Sequence, residues 1–598
     1  MHVALAGVTI AAWFGLGSLL LAGPLKSGDA RLDALNKIGA GAIAFALVTF
    51  AAGRAGVLQP VVYLAVFAPT AAAGVAFGVP LLRRVALPRV RTWSRWQLAV
   101  LMLLGLYVGL AALSTCAPIS SPDALLYHAA DPALFETTGR IVEVPWNSSS
   151  YEPFTVEMLV LDGFLLWDSV QGAFAPLLLA LLALAAVAGF AERVAGRSAA
   201  LLAGAIFFAQ PFMLWESTSV FIEPGLACAV ALSAWNLARF VRHGEQSAIV
   251  LAGLFAGAGA GMKYLGLIAA LALVVVGLIV AWRRLNARTV LAFGLPAVAV
   301  ALPWYVKNAV LTGNPFYPHI FGGLNAYAAA ELDTSMKSFG HGHGPEDFVL
   351  LPVRLLADAE AFDGGEFLSP LFLMFAPLVF LRRRDRRAAA AVWLGVLLFG
   401  TVWFATTQQA RFLVPLMPVL AVLAALGALG LAQRGRLSGL VTAGAVGLSL
   451  VVGLAASAVY AAQFVPVVVG TQSREEFLRQ KVSLYEGVES LNQMLGSDDK
   501  VVMSGWALLY LDVPHTTFGT MGDLLPPDAG VAATRSFIRE NGVSRVAVLA
   551  GESERLIQIG YLDARLVARV PVKSIRSRTR GDIAFREDML IWSVRGGG

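Results

Sequence analysis

Charge is scarce in this chain of 598 residues: Asp, Glu, Lys and Arg together supply only 14%. A soluble domain carries about 25%. The deficit excludes a cytosolic globular enzyme, a disordered chain and a nucleic-acid-binding protein as first readings. Cysteine is scarcer still. Cys116 and Cys228 are the only two, with no CxxC spacing, which argues against a disulfide framework or a thiolate metal site. Nucleotide and hydrolase signatures are also missing. The chain has no P-loop, no GxGxxG opening a helix, no GxSxG and no HExxH, so ATP-driven transport and serine or zinc hydrolysis lose support. Internal repeats and low-complexity stretches are absent.

Apolar residues fill the space that charge leaves, at 58% of the chain. A membrane helix needs about 20 mainly apolar residues. Runs of that kind predict about 14 transmembrane helices, near 4–23, 38–56, 60–82, 97–115, 173–190, 198–214, 222–238, 248–262, 265–282, 289–306, 366–381, 388–405, 412–432 and 438–462. The first run lacks the basic flank of a signal peptide and reads as a retained span. The apolar stretch from Ile249 to Trp282 is interrupted by Lys263. It reads as two helices with Lys263 at the turn, because a lysine at mid-membrane costs several kcal/mol.

Basic residues orient the chain. The connections on one side, outside the tail, carry 22 Lys and Arg, among them Arg83, Arg84, Arg239, Arg242 and Arg382, against seven on the other. By the positive-inside rule the first set is cytoplasmic and both termini are extracytoplasmic. The net charge of +6 belongs mostly to those loops.

The expected organisation has three parts. Residues 1–96 hold additional N-terminal transmembrane helices. Residues 97–465 form the main transmembrane module, with outer loops 116–172 and 307–366. Residues 466–598 form a small extracytoplasmic α/β domain. In this tail a polar helical stretch from Ser473 is followed by strand-like KVVMSGWALLYL, helical GVAATRSFIRENG, and strand-like SRVAVLAG, ARLVARV and MLIWSV. Alternating helix and strand periods suit a βαβ-type layer.

The first outer loop is rich in acids and aromatics. Asp123, Tyr127 and His128 fall at i, i+4 and i+5, on one face of a helix that Ser121 caps and Pro122 begins. That sets a carboxylate, a phenol and an imidazole just beyond the membrane surface. The plain alternative is an acid complementing a helix dipole. Glu216 and Glu223 flank the turn WESTSVFIEPG, Lys263 and Tyr264 lie in GMKYLG, Trp304, Tyr305, Lys307 and Asn308 in LPWYVKN, and Arg411 in TTQQARFLVP. Singly, each reads as an interfacial anchor. Together on one side they suit a reaction that takes a proton from a hydroxyl and releases a lipid phosphate. His341 and His343, with Glu346 and Asp347, read either as a weak metal tract or as a Gly-rich loop.

In this order the motifs SPDALLYH, PWNSSSYEPFTVEM, WESTSVFIEPG, GMKYLG, LPWYVKNAVLTGNPFYP and QQARFLVPLMPVL, followed by an outer α/β tail, resemble the bacterial polytopic glycosyltransferases of the GT-C class. More narrowly, the chain is similar to the protein-mannosyltransferase and aminoarabinose-transferase superfamily, the RgtA/B/C/D-like or "family 39" proteins. The resemblance covers roughly 97–465, and three spans precede the family's usual first helix. It implies a bacterial inner-membrane enzyme that moves a sugar from a polyprenyl-phosphate donor to a lipid, glycan or protein acceptor, usually with inversion.

By the same resemblance Asp123 is the catalytic acidic residue of the first outer loop, and Glu223 is a second, with Glu216 as its rival. Lys263 and Arg411 hold the lipid phosphate, and Tyr127, His128, Tyr264 and Glu216 line the cavity. The family often has Asp-Glu or Asp-Asp where this chain has Asp123-Ala124, so a divalent cation stays open; no nucleotide is expected. The alternative is a transporter or flippase for a lipid-linked sugar. That reading favours polar mid-span residues and hydropathy repeats, of which the chain shows few and none. A ligase- or polymerase-type enzyme, and a structural membrane protein with a partner-binding tail, are further readings.

Overall fold

The computed structural model describes residues 1–21, 29–84, 93–144, 147–322, 336–363, 368–382, 386–503, 507–512, 542–551, 564–576 and 583–594, with a few isolated positions between them. In chain order the helices are α1 His2–Leu20, α2 Ala30–Ala55, α3 Pro60–Arg84, α4 Arg95–Thr115, α5 Ala130–Thr138, α6 Thr155–Leu166, α7 Ser169–Ala195, α8 Arg197–Phe208, α9 Pro211–Thr218 and α10 Glu223–His243. There follow α11 Gln246–Ala260, α12 Tyr264–Val280, α13 Ala287–Thr312, α14 Pro345–Ala357, α15 Leu371–Phe375, α16 Arg386–Thr406, α17 Met417–Ala432 and α18 Arg436–Ala462. The chain is a multi-pass helical membrane protein.

Ten helices among the described residues are long and apolar enough to cross a membrane, or eleven if the pair α8–α9, bent by 64°, is one span. The expected fourteen is corrected to that number. The other three runs form helices of only 10–17 residues, Gln246–Ala260, Tyr264–Val280 and Leu371–Leu381. At about 1.5 Å per residue such helices fall short of a hydrocarbon core of about 30 Å.

Burial separates a central set of helices from a lipid-facing rim. In α10 and in the span ending with α17, 78% of the apolar window is buried, and in α7 67%. In α3, α13 and α18 the share is 22%, 17% and 22%, and their exposed faces carry residues such as Val61, Val310 and Val459. In lipid, close helix contact comes from small residues rather than from a hydrophobic force. On α11 a Cβ at Gly253 or Gly257 would lie 2.0–2.1 Å from the Phe293 or Ala297 carbonyl oxygen of α13, so glycine there lets the two backbones touch.

Polar contacts align the helix ends. Asp29 caps α2 by accepting from the Arg31 and Leu32 amides, and it meets Arg193 near the end of α7 at 2.7 Å. Arg31 meets Glu192 beside it. At the opposite end of α2 the backbone carries the segment between α4 and α6: Ile141 N donates to Gly53 O at 2.9 Å, and Leu58 N to Gly139 O at 3.0 Å. Buried Asn36 and Asn236 bond across α2 and α10.

The C-terminal part holds a small sheet. Strands β1 Val501–Met503, β2 Arg545–Leu549, β3 Ala564–Arg576 and β4 Ile583–Val594 take the order β1-β2-β4-β3. β1 and β2 are parallel, and β2–β4 and β4–β3 are antiparallel. A parallel pair therefore continues into an antiparallel hairpin. The expected helical GVAATRSFIRENG lies largely outside the described residues. The stretch after β1 turns into a one-turn 3-10 helix, Leu508–Tyr510, instead of extending the strand. From it Tyr510 donates to the Ile119 carbonyl at 2.6 Å, which seats the module on the segment that leads to Asp123.

Candidate active site

The Asp123 segment is built by a single π-helical turn, Ala124–His128, in which Ala129 N donates to Ala124 O at 2.9 Å. An i→i+5 turn sets Asp123 and His128 on the same side, which an α-helical turn does less well, and such turns are frequent at functional sites. The expected Ser121 cap does not form. Its hydroxyl donates to the Ser219 carbonyl at 2.5 Å instead, because the turn after α9 packs directly above it. That turn bends at Val220, whose φ of +60° is rare for a β-branched residue, and it carries Glu216 and Glu223 on its two sides.

Two ion pairs meet at this end of the bundle. Arg411 Nη1 lies 2.5 Å from Asp123 Oδ2, and Lys263 Nζ lies 3.3 Å from Glu223 Oε1. Their positions follow from helix breaks. Arg411 sits on a 3-10 turn, Ala410–Leu416, ahead of α17. Lys263 sits in the turn between the short helices α11 and α12. A Cβ at Gly266 would meet the Gly259 carbonyl at 1.9 Å, so glycine allows this tight reversal. Lys263 is not a surface anchor, since it is only 5% exposed. Phe412 joins the two cations: its ring centroid is 4.4 Å from Lys263 Nζ and 5.1 Å from the Arg411 guanidinium. Phe221 covers Arg411 at the same 5.1 Å.

His128 turns to Glu157 of α6, with Nδ1 at 2.7 Å from Oε1 and both side chains buried. Burial pushes the imidazole well below its ordinary range, with Lys263 adding to the effect against Asp123. Burial likewise raises the Glu157 carboxyl. Burial thus disfavours the charged form of both groups. For Asp123 burial acts upward, but the Arg411 guanidinium and then His128 outweigh it and hold the carboxyl below its usual value. Asp123 is ionised at neutral pH.

Glu216 is fully buried, and neither of its carboxyl oxygens has a hydrogen-bond partner among the described residues. Tyr127 stacks beside His128 at 4.0 Å. Tyr264 does not join the carboxylate group. Its hydroxyl donates to Tyr317 O and accepts from Asn308 Nδ2, both at 2.7 Å, in an aromatic cluster with Tyr305, Phe316 and His319. Lys307 also supports rather than faces the site, reaching the carbonyls of Tyr151 and Glu152 at 3.4 and 3.3 Å. The expected His341/His343 tract separates, with His341 on Asp358 at 3.1 Å and His343 Nδ1 2.7 Å from the Phe404 carbonyl oxygen. Among the described residues no group of three or more His, Cys, Asp or Glu is arranged to hold a metal ion.

Sequence reasoning missed Glu157, Asp363 and the two phenyl rings. Asp363 Oδ2 lies 3.3 Å from Arg411 Nε, and its carboxyl is raised to about 6, by burial first, against the pull of Arg411. Glu157 lies within the quoted PWNSSSYEPFTVEM but follows an apolar helix pattern that hides it. Below the ion pairs an apolar cavity of about 750 Å³ opens between α7, α10, α12, α16 and α17. Pro415 and Leu416 line one end, just past Arg411, while Arg239 and Arg242 line the other.

The fold and the site together are a multi-helix membrane bundle with paired carboxylates and cations at one end and an apolar cavity between its central helices. Residues 164–306 match the family described as dolichyl-phosphate-mannose-protein mannosyltransferase, a stretch that contains Glu216, Glu223 and Lys263. The family match thus falls in the central helices and takes in the Glu223–Lys263 pair. Its fold is similar to that of ArnT from Cupriavidus metallidurans in the apo state, at 17% identity and a TM-score of 0.52, over 83% of this chain and 98% of that one. The archaeal oligosaccharyltransferase AglB from Archaeoglobus fulgidus is a looser match, at 13% identity and a TM-score of 0.37, over 78% and 71% of the two chains. No curated protein sequence matches the chain.

Proposed function

We propose that this enzyme transfers a sugar from a polyprenyl-phosphate donor to a hydroxyl of an extracytoplasmic lipid, glycan or protein acceptor, with inversion. Lys263 and Arg411 bind the donor phosphate, and the apolar cavity beyond Leu416 receives the isoprenoid chain. Asp123 accepts the proton as the acceptor oxygen attacks the anomeric carbon. The bond between that carbon and the phosphate oxygen breaks, and the lipid phosphate leaves with its electron pair to the two cations. Glu223 holds Lys263 in place and is the second carboxylate. His128 and Glu157, as a buried hydrogen-bonded pair, support the turn that carries Asp123.

The observation that carries this reading is the meeting of the Asp123–Arg411 and Glu223–Lys263 pairs across one phenyl ring, with an apolar cavity whose lining begins a few residues further along the chain at Pro415 and Leu416. A preformed lipid-phosphate sugar is already activated, which agrees with a chain that carries no nucleotide fingerprint. The basic-residue asymmetry supports a bacterial inner-membrane setting with both termini and the α/β module extracytoplasmic.

The test is transfer of labelled sugar from a polyprenyl phosphate in vesicles of purified enzyme. Label should leave the lipid phase and appear on an added acceptor. Movement of the intact donor between leaflets without transfer would favour the flippase. Cysteines placed at Ser473 and at Gln433 set the orientation: the first should be labelled from outside and the second only from inside.

A further inference from the structure

Asp363 comes from a part of the chain that no motif singles out, yet it completes the surroundings of Arg411. It follows the 3-10 turn Ala359–Phe362 and has a left-handed backbone, φ +88°. Glycine is the default residue for that conformation, and a non-glycine there is strained. Gly364 and Gly365 follow immediately, but the left-handed position is held by the aspartate. The backbone before it is fixed by packing. Phe362 is 1% exposed and stacks on Trp403, and Gly340 N donates to Ala361 O at 2.6 Å.

The guanidinium is thereby defined on four sides. Phe221 and Phe412 each lie 5.1 Å from it. Nη1 meets Asp123 at 2.5 Å, and Nε lies 3.3 Å from Asp363. Nε, although buried, makes no hydrogen bond among the described residues, so its contact with Asp363 is an ion pair. A planar guanidinium with carboxylates beside Nη1 and Nε keeps donor capacity for one more anion, and its geometry matches phosphate oxygens.

We propose that Asp363 is a positioning residue: it fixes the roll of the Arg411 guanidinium so that Nη1 keeps Asp123 in place while Nη2 faces the donor phosphate. One arginine then sets the distance between the base and the leaving group, and Asp363 sets the arginine. This rests on the donor reading above. Asp363 touches neither donor nor acceptor; its effect passes through Arg411.

Three variants test it: Asp363→Gly, Asp363→Asn and Arg411→Lys, each assayed by titration of the polyprenyl-phosphate sugar and, separately, of the acceptor. Glycine suits the left-handed backbone and removes the carboxylate, so Asp363→Gly should melt no lower than the wild type. Its donor KM should rise about tenfold or more, since misplacement of about 1 Å costs on the order of 10²-fold, and its acceptor KM should stay unchanged. Asn keeps an oxygen for Nε–H and should restore part of the loss. Wild-type donor KM and kcat in Asp363→Gly would overturn the proposal. So would equal loss in the Gly and Asn variants, or loss of the melting transition in both, because either result marks a structural role. Arg411→Lys separates the two levels. If it too leaves donor KM unchanged, the donor reading of Arg411 has failed; if it raises donor KM while Asp363→Gly does not, only the positioning role has failed.

Discussion

Replacing Asp123 by asparagine removes one charge and one base while leaving an oxygen for Arg411. In the structure Oδ2 takes the Arg411 Nη1 contact at 2.5 Å, and the side chain is 25% exposed toward the site. Asparagine offers a carbonyl oxygen of similar reach, and Arg411 keeps Asp363 as a charged neighbour at 3.3 Å. The arginine is therefore not left as a lone buried charge, and stability should change little. The chemical step should suffer instead. Loss of a general base costs about 10²–10⁴-fold in rate, which at about 1.36 kcal/mol per tenfold is roughly 3–5 kcal/mol of barrier. Donor KM should change by less than kcat, because Lys263 and Arg411 both remain.

The pH profile adds a second check. Asp123 is held below the usual carboxylate range, so its basic form persists through neutral pH and is lost only as pH falls through that lowered value. An acid limb on kcat near pH 6 would belong to Asp363, and it should survive in the residual activity of Asp123→Asn. The assay is single-turnover sugar transfer in detergent or vesicles, with a thermal melt as the control. Near-normal turnover in a well-folded Asp123→Asn would refute the base assignment. Glu223, the other carboxylate of the two ion pairs, would then be the next candidate.

Lys263→Met should raise donor KM, but alone it strands Glu223 in the interior, a loss of about 3–5 kcal/mol. The pair Lys263→Met/Glu223→Gln should recover the melting temperature without recovering donor affinity, and recovery of both would remove Lys263 from the phosphate site. Asp131, 3% exposed, has its carboxyl raised to about 7 by burial, against the pull of Lys307. Between about pH 4 and that value the native protein holds a proton that the unfolded chain has released, so the stability contribution of this group falls as pH rises through the window. Asp131→Asn should be indifferent to that window and should gain on the wild type in melts at pH 8 relative to pH 5; parallel melts would refute the shift. Cys116 and Cys228 are both free, so intact mass after denaturation without reductant should show two thiol labels, and a product with none would mean a disulfide.

Much of the architecture was legible in one dimension. Apolar runs of about 20 residues, interrupted by basic loops, are properties of consecutive residues, and lipid imposes helices on them because a helix satisfies its backbone hydrogen bonds within the one segment. Each expected span overlaps an apolar helix among the described residues. The count failed where length decides. The helices on either side of Lys263 have only 15 and 17 residues, which the continuous run Ile249–Trp282 does not reveal because its hydropathy is the same wherever the turn falls.

Candidate site residues were legible one at a time, as polar residues at helix ends. Their partnerships were not. Asp123 and Arg411 are 288 positions apart, and His128 finds Glu157 inside a helix that reads as apolar. Asp363 enters through a left-handed turn beside two glycines, where composition suggests only a loop. Sequence periodicity reports which face of a helix is polar; it carries no record of which other helix that face meets. The sequence alone determined a polytopic membrane chain with acids and cations gathered toward one side. Only the tertiary structure decided that two carboxylates hold one arginine between two phenyl rings, because that arrangement depends on distances between segments that the chain itself keeps far apart.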